Sequence, residues 1–406
     1  METGYLVGSF SNSSWRDFYL ENVKTLALND PRTHEQSSIK RLNDEDFGEN
    51  GTKSNVVILH RNQGKSLGTT SYAEVGDKRA RGGAIITTDL NTEKDSLLEE
   101  NSSYNFNSDE ESVQFINSKE KIKSVYKAIK KKNIDLRPRN ILFTGDIAEM
   151  SDFMDQVSRT RKVKIKNDSR ALEKLISNVD LIVANFEKNS GYNKEGVFFM
   201  GLGNALKIPV VSVDSNRVLY PPLTGLAKKT FTGENRLENL YDFIQNPKKF
   251  DLTPETLTQI KIAKKMSKEN LFYNPSKTST TNECKNIYFS GSSNEINYLK
   301  ENLNSSKVIQ SYFNNSTDLV VAKFNRDVYE NFETLKSLYN AYQNKVPVLL
   351  LIENETIDRK IARLSRRPLA GTGMLEPAKE YLNNLKSQHI NDEALVYYNI
   401  MEKFNN

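Results

Sequence analysis

Tyr5-Leu6-Val7-Gly8-Ser9, Ile141-Leu142-Phe143-Thr144-Gly145-Asp146 and Ile287-Tyr288-Phe289-Ser290-Gly291-Ser292 are three versions of one phrase, a short hydrophobic strand that ends in glycine. A second apolar run follows each, headed by Asn55, Asp180 and Asp318, and then a third, headed by Ala84, Pro209 and Pro347. The step from second to third run is 29 residues in every copy (55 to 84, 180 to 209, 318 to 347). The chain therefore reads as three tandem copies of one α/β unit. Helical patterns alternate with these runs, at Asp152 to Val157, Ser169 to Asn178, Tyr298 to Leu303 and Val328 to Gln343. Such alternation implies a parallel sheet with helices on both faces. Ligands of these sheets sit beyond the carboxyl ends of the strands, so the loops after Gly8, Gly145 and Gly291 are the candidate sites.

A chain of 406 residues exceeds one ordinary core and fits about three domains of roughly 100–150 residues. Repeat one is expected over 1–117, a basic linker helix over 118–136 and repeat two over 137–247. A helix with a flexible linker follows over 248–284, and repeat three with a C-terminal helix fills 285–406. Within repeat one the acidic, Ser/Asn-rich stretch from Asn91 to Glu111 reads as a loop. The linker helix, Lys119 to Asn133, reads as a solvated face, with Lys130-Lys131-Lys132 as the competing nuclear-import or nucleic-acid patch. Helices are further expected from Thr253 to Asn270 and from Asp392 to Phe404, with a flexible stretch from Pro275 to Asn282. Tyr220-Pro221-Pro222-Leu223-Thr224-Gly225 in repeat two answers Arg367-Pro368-Leu369-Ala370-Gly371 in repeat three.

The net charge of +5 comes from 57 basic and 52 acidic residues, a mixture that does not argue for nucleic acid. A single cysteine, Cys284, and three scattered histidines offer neither a disulfide framework nor a metal cluster of recognisable spacing. No run approaches the roughly 20 apolar residues that a membrane span needs. With no signal peptide at its start, the expectation is a cytoplasmic protein, with nuclear entry left open by the basic linker. No metal and no cofactor is expected.

The residues that could carry chemistry lie in repeat one. Nineteen residues after the head of each second strand the copies carry Glu74, Phe199 and Ser337. Glu74 belongs to Gly68-Thr69-Thr70-Ser71-Tyr72-Ala73-Glu74-Val75-Gly76, which reads as a loop running into a helix. A carboxylate at a helix start beside the strand ends suits nucleophilic or base work, kept ionised by the helix dipole. The competing reading makes Ser71-x-x-Glu74 a capping box that needs no substrate. Gly76 marks a close approach of a helix to a strand. Trp15 and Arg16 could stack on and grip a base or phosphate, or simply pack. Arg32 could hold a phosphate bidentately or close a turn as a salt bridge. Gly201-Leu202-Gly203 and Gly371-Thr372-Gly373 are only superficially phosphate loops. Arg363, Arg366 and Arg367 could form an anion patch or a solvated helix end.

Taken together, the strand-Gly opening, the Glu74-x-Gly76 pair ten residues before the third strand and the Asp-led second strands resemble the nucleoside 2-deoxyribosyltransferase-like superfamily. Trp15-Arg16 and Asn29-Asp30-Pro31-Arg32 strengthen the resemblance, which covers the cores of all three repeats. It implies an α/β chain of three tandem Rossmann-like, flavodoxin-like parallel-sheet repeats. It also implies a reaction in which Glu74 attacks C1′ of a 2-deoxyribonucleoside and a second base or water displaces the glycosyl ester. The substrate contacts implied are Gly8, Ser9, Trp15, Arg32, Asn55, Thr70 and Gly76. The partner implied is a small-molecule nucleoside or nucleotide. Three fused copies could also mimic, within one chain, the oligomers of the family. Repeat one departs from the family pattern in carrying Asn55 at the strand head and no acid around Ser66-Leu67-Gly68. Repeats two and three keep Asp180 and Asp318 but lack the Glu. If active, the chain is expected to be an N-glycosidic bond transferase or hydrolase working through repeat one. The alternative is a non-catalytic nucleotide-binding or scaffold protein on a decayed glycosyltransferase fold.

Overall fold

The computed structural model describes residues 2–8, 14–33, 46–65, 67–130, 137–166, 172–187, 192–215, 219–252, 285–291, 293–324, 332–344, 346–352, 356–362, 365, 367–370 and 374–383, with 254, 257, 258 and 261 as isolated positions. They build three α/β sheets. Sheet one comprises β1 (Glu2–Gly8), β2 (Leu26–Asn29), β3 (Val56–Arg61), β4 (Ala84–Asp89) and β5 (Tyr104–Phe106), with helices α1 (Ser14–Asn22), α2 (Thr69–Ala80), α3 (Ser96–Asn101) and α4 (Asp109–Asn117). Sheet two holds β6 (Asn140–Gly145), β7 (Lys162–Ile165), β8 (Leu181–Phe186), β9 (Val210–Asp214) and β10 (Lys229–Phe231). Its helices are α5 (Ser151–Ser158), α6 (Leu172–Ile176), α7 (Lys194–Leu206), α8 (Pro221–Leu226) and α9 (Arg236–Gln245). Further along come β11 (Asn286–Ser290), β12 (Val308–Gln310), β13 (Leu319–Phe324), β14 (Val348–Ile352), β15 (Thr356–Asp358) and β16 (Arg367–Ala370). Helices α10 (Asn294–Glu301), α11 (Phe332–Gln343), α12 (Arg359–Ala362) and α13 (Leu375–Asn383) accompany them.

The strand orders are β2-β1-β3-β4-β5, β7-β6-β8-β9-β10-β15 and β12-β11-β13-β14-β16. Each repeat thus has the 2-1-3-4-5 order of flavodoxin-like sheets. β15 is the exception: it leaves the sequence of repeat three and pairs antiparallel with β10. By compactness the described residues form two units, divided within β9 between Ser212 and Val213. Sheet one and the first strands of sheet two belong to the first unit, and sheet three to the second.

The central strands read as unbroken apolar runs because both faces are covered. In repeat one, alternate residues Leu6, Val56, Ile58, Ala84 and Ile86 pack on Trp15 and Tyr19 of α1 and on Val113 and Ile116 of α4. The intervening residues point to the other face, where Tyr5 meets Glu74 of α2. The repeated glycine has a backbone reason: Gly8, Gly145 and Gly291 all have positive φ (154°, 87° and 98°) as the chain leaves the sheet.

The polar heads of the second strands serve the sheets as well. Asp180 Oδ2 accepts from the amides of Arg139 and Asn140 at 3.0 and 2.9 Å. Asp318 Oδ2 accepts from those of Lys285 and Asn286 at 2.9 and 2.8 Å. Asn55 Oδ1 accepts from the Thr3 amide at 2.8 Å. In all three copies this side chain ties the start of the first strand to the start of the second. It stands at the amino edge of the sheet, away from the carboxyl edge.

Within the first unit, α7 is buried nearly all round, from Gly196 through Leu206. It lies against α2 at two glycines. A Cβ on Gly76 would stand 2.0 Å from Phe198 O, and one on Gly201 would stand 1.8 Å from Ala73 O. The partners are related by the repeat itself, since 76 to 201 and 73 to 198 are the same step. Gly76 is therefore a helix–helix contact, rather than the expected helix–strand one. Gly201-Leu202-Gly203 is helix, not a phosphate loop.

Several local expectations change. The stretch from Asn91 to Glu111 is ordered as α3, β5 and the start of α4, because Asp95 and Ser108 cap the two helices and Leu97 and Leu98 are buried. The described part of the linker, Lys119 to Lys130, is not the expected helix. Ile122 and Ile129 are buried there, the Ile129 amide donates to Ala80 O at 2.9 Å, and Tyr126 OH donates to Glu100 O at 2.6 Å. These anchors hold the strip extended against repeat one. Of the paired Pro-Leu phrases, one is helix α8 and the other, with Arg367 at its head, is strand β16. Ser9, Lys131, Lys132, Cys284, Arg363, Arg366, Gly371 to Gly373, the flexible stretch 275–282, the helix 392–404 and most of the helix 253–270 lie outside the described residues.

Lys78 of α2 is buried, its ammonium donating to Ser54 O. Burial pulls its pKa down from the ordinary 10.5 to about 8, against the partial opposition of Asp77. Between those two pH values the unfolded chain holds this proton and the folded chain has lost it, so stability rises with pH at up to about 1.4 kcal/mol per unit. Burial raises the Tyr19 and Tyr72 phenols, which reverses the trend once ordinary tyrosine ionises near 10.0. Urea midpoints from pH 8 to 10 are expected to climb in the native protein, and this component is expected to vanish in Lys78→Met.

Candidate functional site

The carboxyl edge of sheet one is where its order reverses, between β1 and β3, and that is the expected ligand crevice. Gly8 ends β1 there, its carbonyl accepting from Arg16 Nη2 at 2.8 Å. A Cβ on Gly8 would stand 2.7 Å from His60 O and 2.9 Å from the Trp15 ring. Trp15 is buried, stacked on His60 at 4.6 Å between ring centroids and 9° between planes. The Arg16 guanidinium also lies over the indole, 4.4 Å from its ring centroid. His60 is 1% exposed, with Nε2 3.1 Å from Asp109 Oδ1 at the start of α4. Tyr19 OH shares a 2.8 Å hydrogen bond with Thr88 at the end of β4.

A chain of charges continues from this cluster. Arg16 Nε lies 3.7 Å from Asp30 Oδ1, and Arg32 Nε donates to Asp30 Oδ2 at 2.6 Å. Arg32 also donates to Asp17 at 2.6 Å. The two arginines are thus braced by carboxylates of the chain itself. Gly8, Trp15 and Arg32 belong to one connected group, three of the residues expected to share a site with Glu74.

Glu74 does not stand with them. It is the sixth residue of α2, whose N-cap is Gly68 with no side-chain cap, so Ser71 and Glu74 form no capping box. Glu74 is 4% exposed, and Tyr5 OH donates to its Oε1 at 2.7 Å. The same phenol lies 3.2 Å from Asp46 Oδ1. This Tyr5, Asp46 and Glu74 cluster occupies the face of sheet one opposite Trp15. Thr70 sits half-buried in the first turn of α2. Asn55 is at the amino edge, bonded to Thr3, and Gly76 is in the α2–α7 contact.

His60, Asp46 and Asp109 escape a reading from motifs. For His60 a signal does exist, in the comparison of copies. Five residues after each strand head stands a polar residue: His60, Asn185 and Lys323. All three are buried at the carboxyl end of the second strand. Asn185 Nδ2 donates to Asp146 O at 2.8 Å, and Lys323 Nζ pairs with Glu295 at 2.6 Å. Every repeat thus ties its switch point with a different polar contact, and only repeat one uses an imidazole against a tryptophan. Asp46 and Asp109 lie in variable connections and carry no periodic signal.

Among the described residues no group of three or more His, Cys, Asp or Glu side chains could hold a metal ion, and no helix is long and apolar enough to cross a membrane. No protein-family model matches this chain, and no curated protein matches it significantly.

Proposed function

We propose that this chain is a nucleoside 2-deoxyribosyltransferase-like protein whose chemistry, on the N-glycosidic bond of a deoxynucleoside or deoxynucleotide, is confined to repeat one. The observation that carries this reading is the buried Glu74 carboxylate, oriented by the Tyr5 phenol at 2.7 Å. A carboxylate oriented by a phenol in this way is of the type that serves as a covalent nucleophile. In the proposed step a Glu74 oxygen bonds to C1′ and the C1′–N bond breaks. The electron pair leaves with the base, which takes up a proton. Water or a second base then attacks C1′ and releases Glu74. No cofactor enters this sequence. Phe199 and Ser337 cannot act as carboxylate nucleophiles, which leaves repeats two and three as binding or structural copies.

The second reading, a non-catalytic nucleotide-binding or scaffold protein, is favoured by one observation: Glu74 is 4% exposed in mid-helix. The two readings part in one experiment. The intact protein and Glu74→Gln are incubated with each deoxynucleoside and its monophosphate, with and without a second free base, and released or exchanged base is separated by chromatography. Release by the native protein, reduced at least about a thousandfold in Glu74→Gln, is the expected result for a lost nucleophile. The amide retains an acceptor for Tyr5, so an unchanged unfolding midpoint shows that the fold survives. Absence of turnover with every substrate moves the assignment to the binding protein.

A further inference from the structure

On the first unit, beside the α2–α7 contact, a cleft of about 280 Å³ opens. Leu97, Leu172, Leu175, Phe198 and Phe199 give it an apolar wall, and Arg79, Lys166, Glu100 and Glu173 bring charge to it. Arg79 has no part in the chemistry proposed above. It is 3% exposed, with its guanidinium 3.9 Å from the centroid of the Tyr126 ring. Its Nη2 donates to the carboxylate of Glu173. Its Nε and Nη1 have no acceptor among the described residues. A buried guanidinium with one acceptor is under-satisfied, at a cost that a better partner would recover. Glu173 is a replaceable partner, since its side chain is half-exposed on the five-residue helix α6. Burial by itself would raise the Glu173 carboxyl, but the hydrogen bond from Arg79 outweighs this and holds it below the ordinary carboxylate range.

We propose that the cleft is a binding site for a small monocarboxylate with an aromatic or branched apolar body, whose carboxylate takes the place of Glu173 on Arg79. The group that Arg79 already holds defines the chemistry of the head. With Glu173 turned to solvent, the lining carries two cations against the single carboxylate of Glu100. Lys166 is held loosely, 3.5 Å from Glu100 and 3.9 Å from Glu195, beyond good hydrogen-bond distance, and is available to the same anion. The leucines and phenylalanines receive the body, as in other small-ligand pockets. The site is separate from Glu74 and does not depend on glycosyl chemistry.

The test titrates the intact protein with benzoate by calorimetry, with inorganic phosphate as a second probe. Saturable benzoate binding is expected. Glu173→Gln removes the competing charge and is expected to tighten it about tenfold, whereas Arg79→Lys weakens it at least about tenfold. Leu172→Trp, which fills the apolar side without touching the ion pair, is expected to abolish it. Circular dichroism confirms that each variant is folded. Should Arg79→Lys fail to fold, the opposite effects of Glu173→Gln and Leu172→Trp carry the test. No saturable binding to either the native protein or Glu173→Gln overturns the proposal. So does benzoate affinity that is unchanged in Leu172→Trp, or phosphate binding that equals benzoate binding throughout.

Discussion

Alanine at Gly76 or Gly201 is expected to cost the first unit about 2–3 kcal/mol, close to the upper end of overpacking effects. The new methyl would stand 2.0 Å from Phe198 O at one site and 1.8 Å from Ala73 O at the other. Both obstacles are main-chain carbonyls, so no rotamer change relieves them and the helices must separate. Alanine is intrinsically better in a helix than glycine by about 1 kcal/mol, which offsets part of the loss. Gly203→Ala is the control. Its methyl would meet Val210 Cγ2 at 2.5 Å and Ile182 Cδ1 at 2.9 Å, side-chain methyls rather than main-chain carbonyls. That substitution is expected to cost under about 1.5 kcal/mol. The double variant Gly76→Ala/Gly201→Ala is expected to lose less than the sum of the singles, because the first methyl already parts the helices that the second would part. Urea midpoints of the intact protein, read on the transition of the first unit, check all four. If the two glycine sites prove as tolerant as Gly203, α2 and α7 are not in this close contact.

The positions of the central strands were legible because parallel strands covered on both faces must be continuously apolar, and the 29-residue step recurs between their heads. What was not legible depends on partners distant in the chain. Asn91 to Glu111 has the composition of a loop, yet its Asp95 and Ser108 are helix caps and a few leucines suffice to dock α3. Lys119 to Lys130 has helical spacing, yet Ile122 and Ile129 bind to repeat one in extended form. Pro221-Pro222-Leu223 and Pro368-Leu369 look alike and become helix and strand, because local propensity is weak against tertiary context. Of the residues assigned to one site, Gly8, Trp15 and Arg32 are linked near the end of β1, whereas Asn55, Gly76 and Glu74 lie elsewhere in the repeat. Glu74 was expected at a helix start. The helix begins at Thr69, however, and that places Glu74 one and a half turns inside, against Tyr5.

β15 left no trace in the sequence pattern, since a three-residue antiparallel strand is defined by what it pairs with. Its anchoring therefore gives a strong prediction. Lys229 Nζ and Asp358 Oδ2 are 2.6 Å apart and only 4% and 9% exposed. They face each other across the β10–β15 pair, where Thr230 opposes Ile357 and Phe231 opposes Thr356. Asp358→Ala would leave a buried ammonium without its counter-charge, and breaking such pairs from one side costs about 3–5 kcal/mol. Lys229→Met with Asp358→Leu removes both charges, and apolar replacement of a buried pair is often neutral or better. Most of the stability is expected to return in that double variant, read as the urea midpoint of the second unit. The contacts flanking the pair make this outcome specific. Ile357 belongs to the core that holds Val320, Leu335 and Leu350. The Arg359 amide donates to Lys228 O at 3.0 Å, and its guanidinium donates to the Leu226 and Ala227 carbonyls at the end of α8. Apolar packing and hydrogen bonds thus hold β15 in place beside the ion pair, whose two charges are the most buried of this group. If Asp358→Ala costs under about 1 kcal/mol, the pair behaves as an exposed one and β15 is a loose appendage; if the double variant is as unstable as the single, register rather than charge balance is what the pair secures.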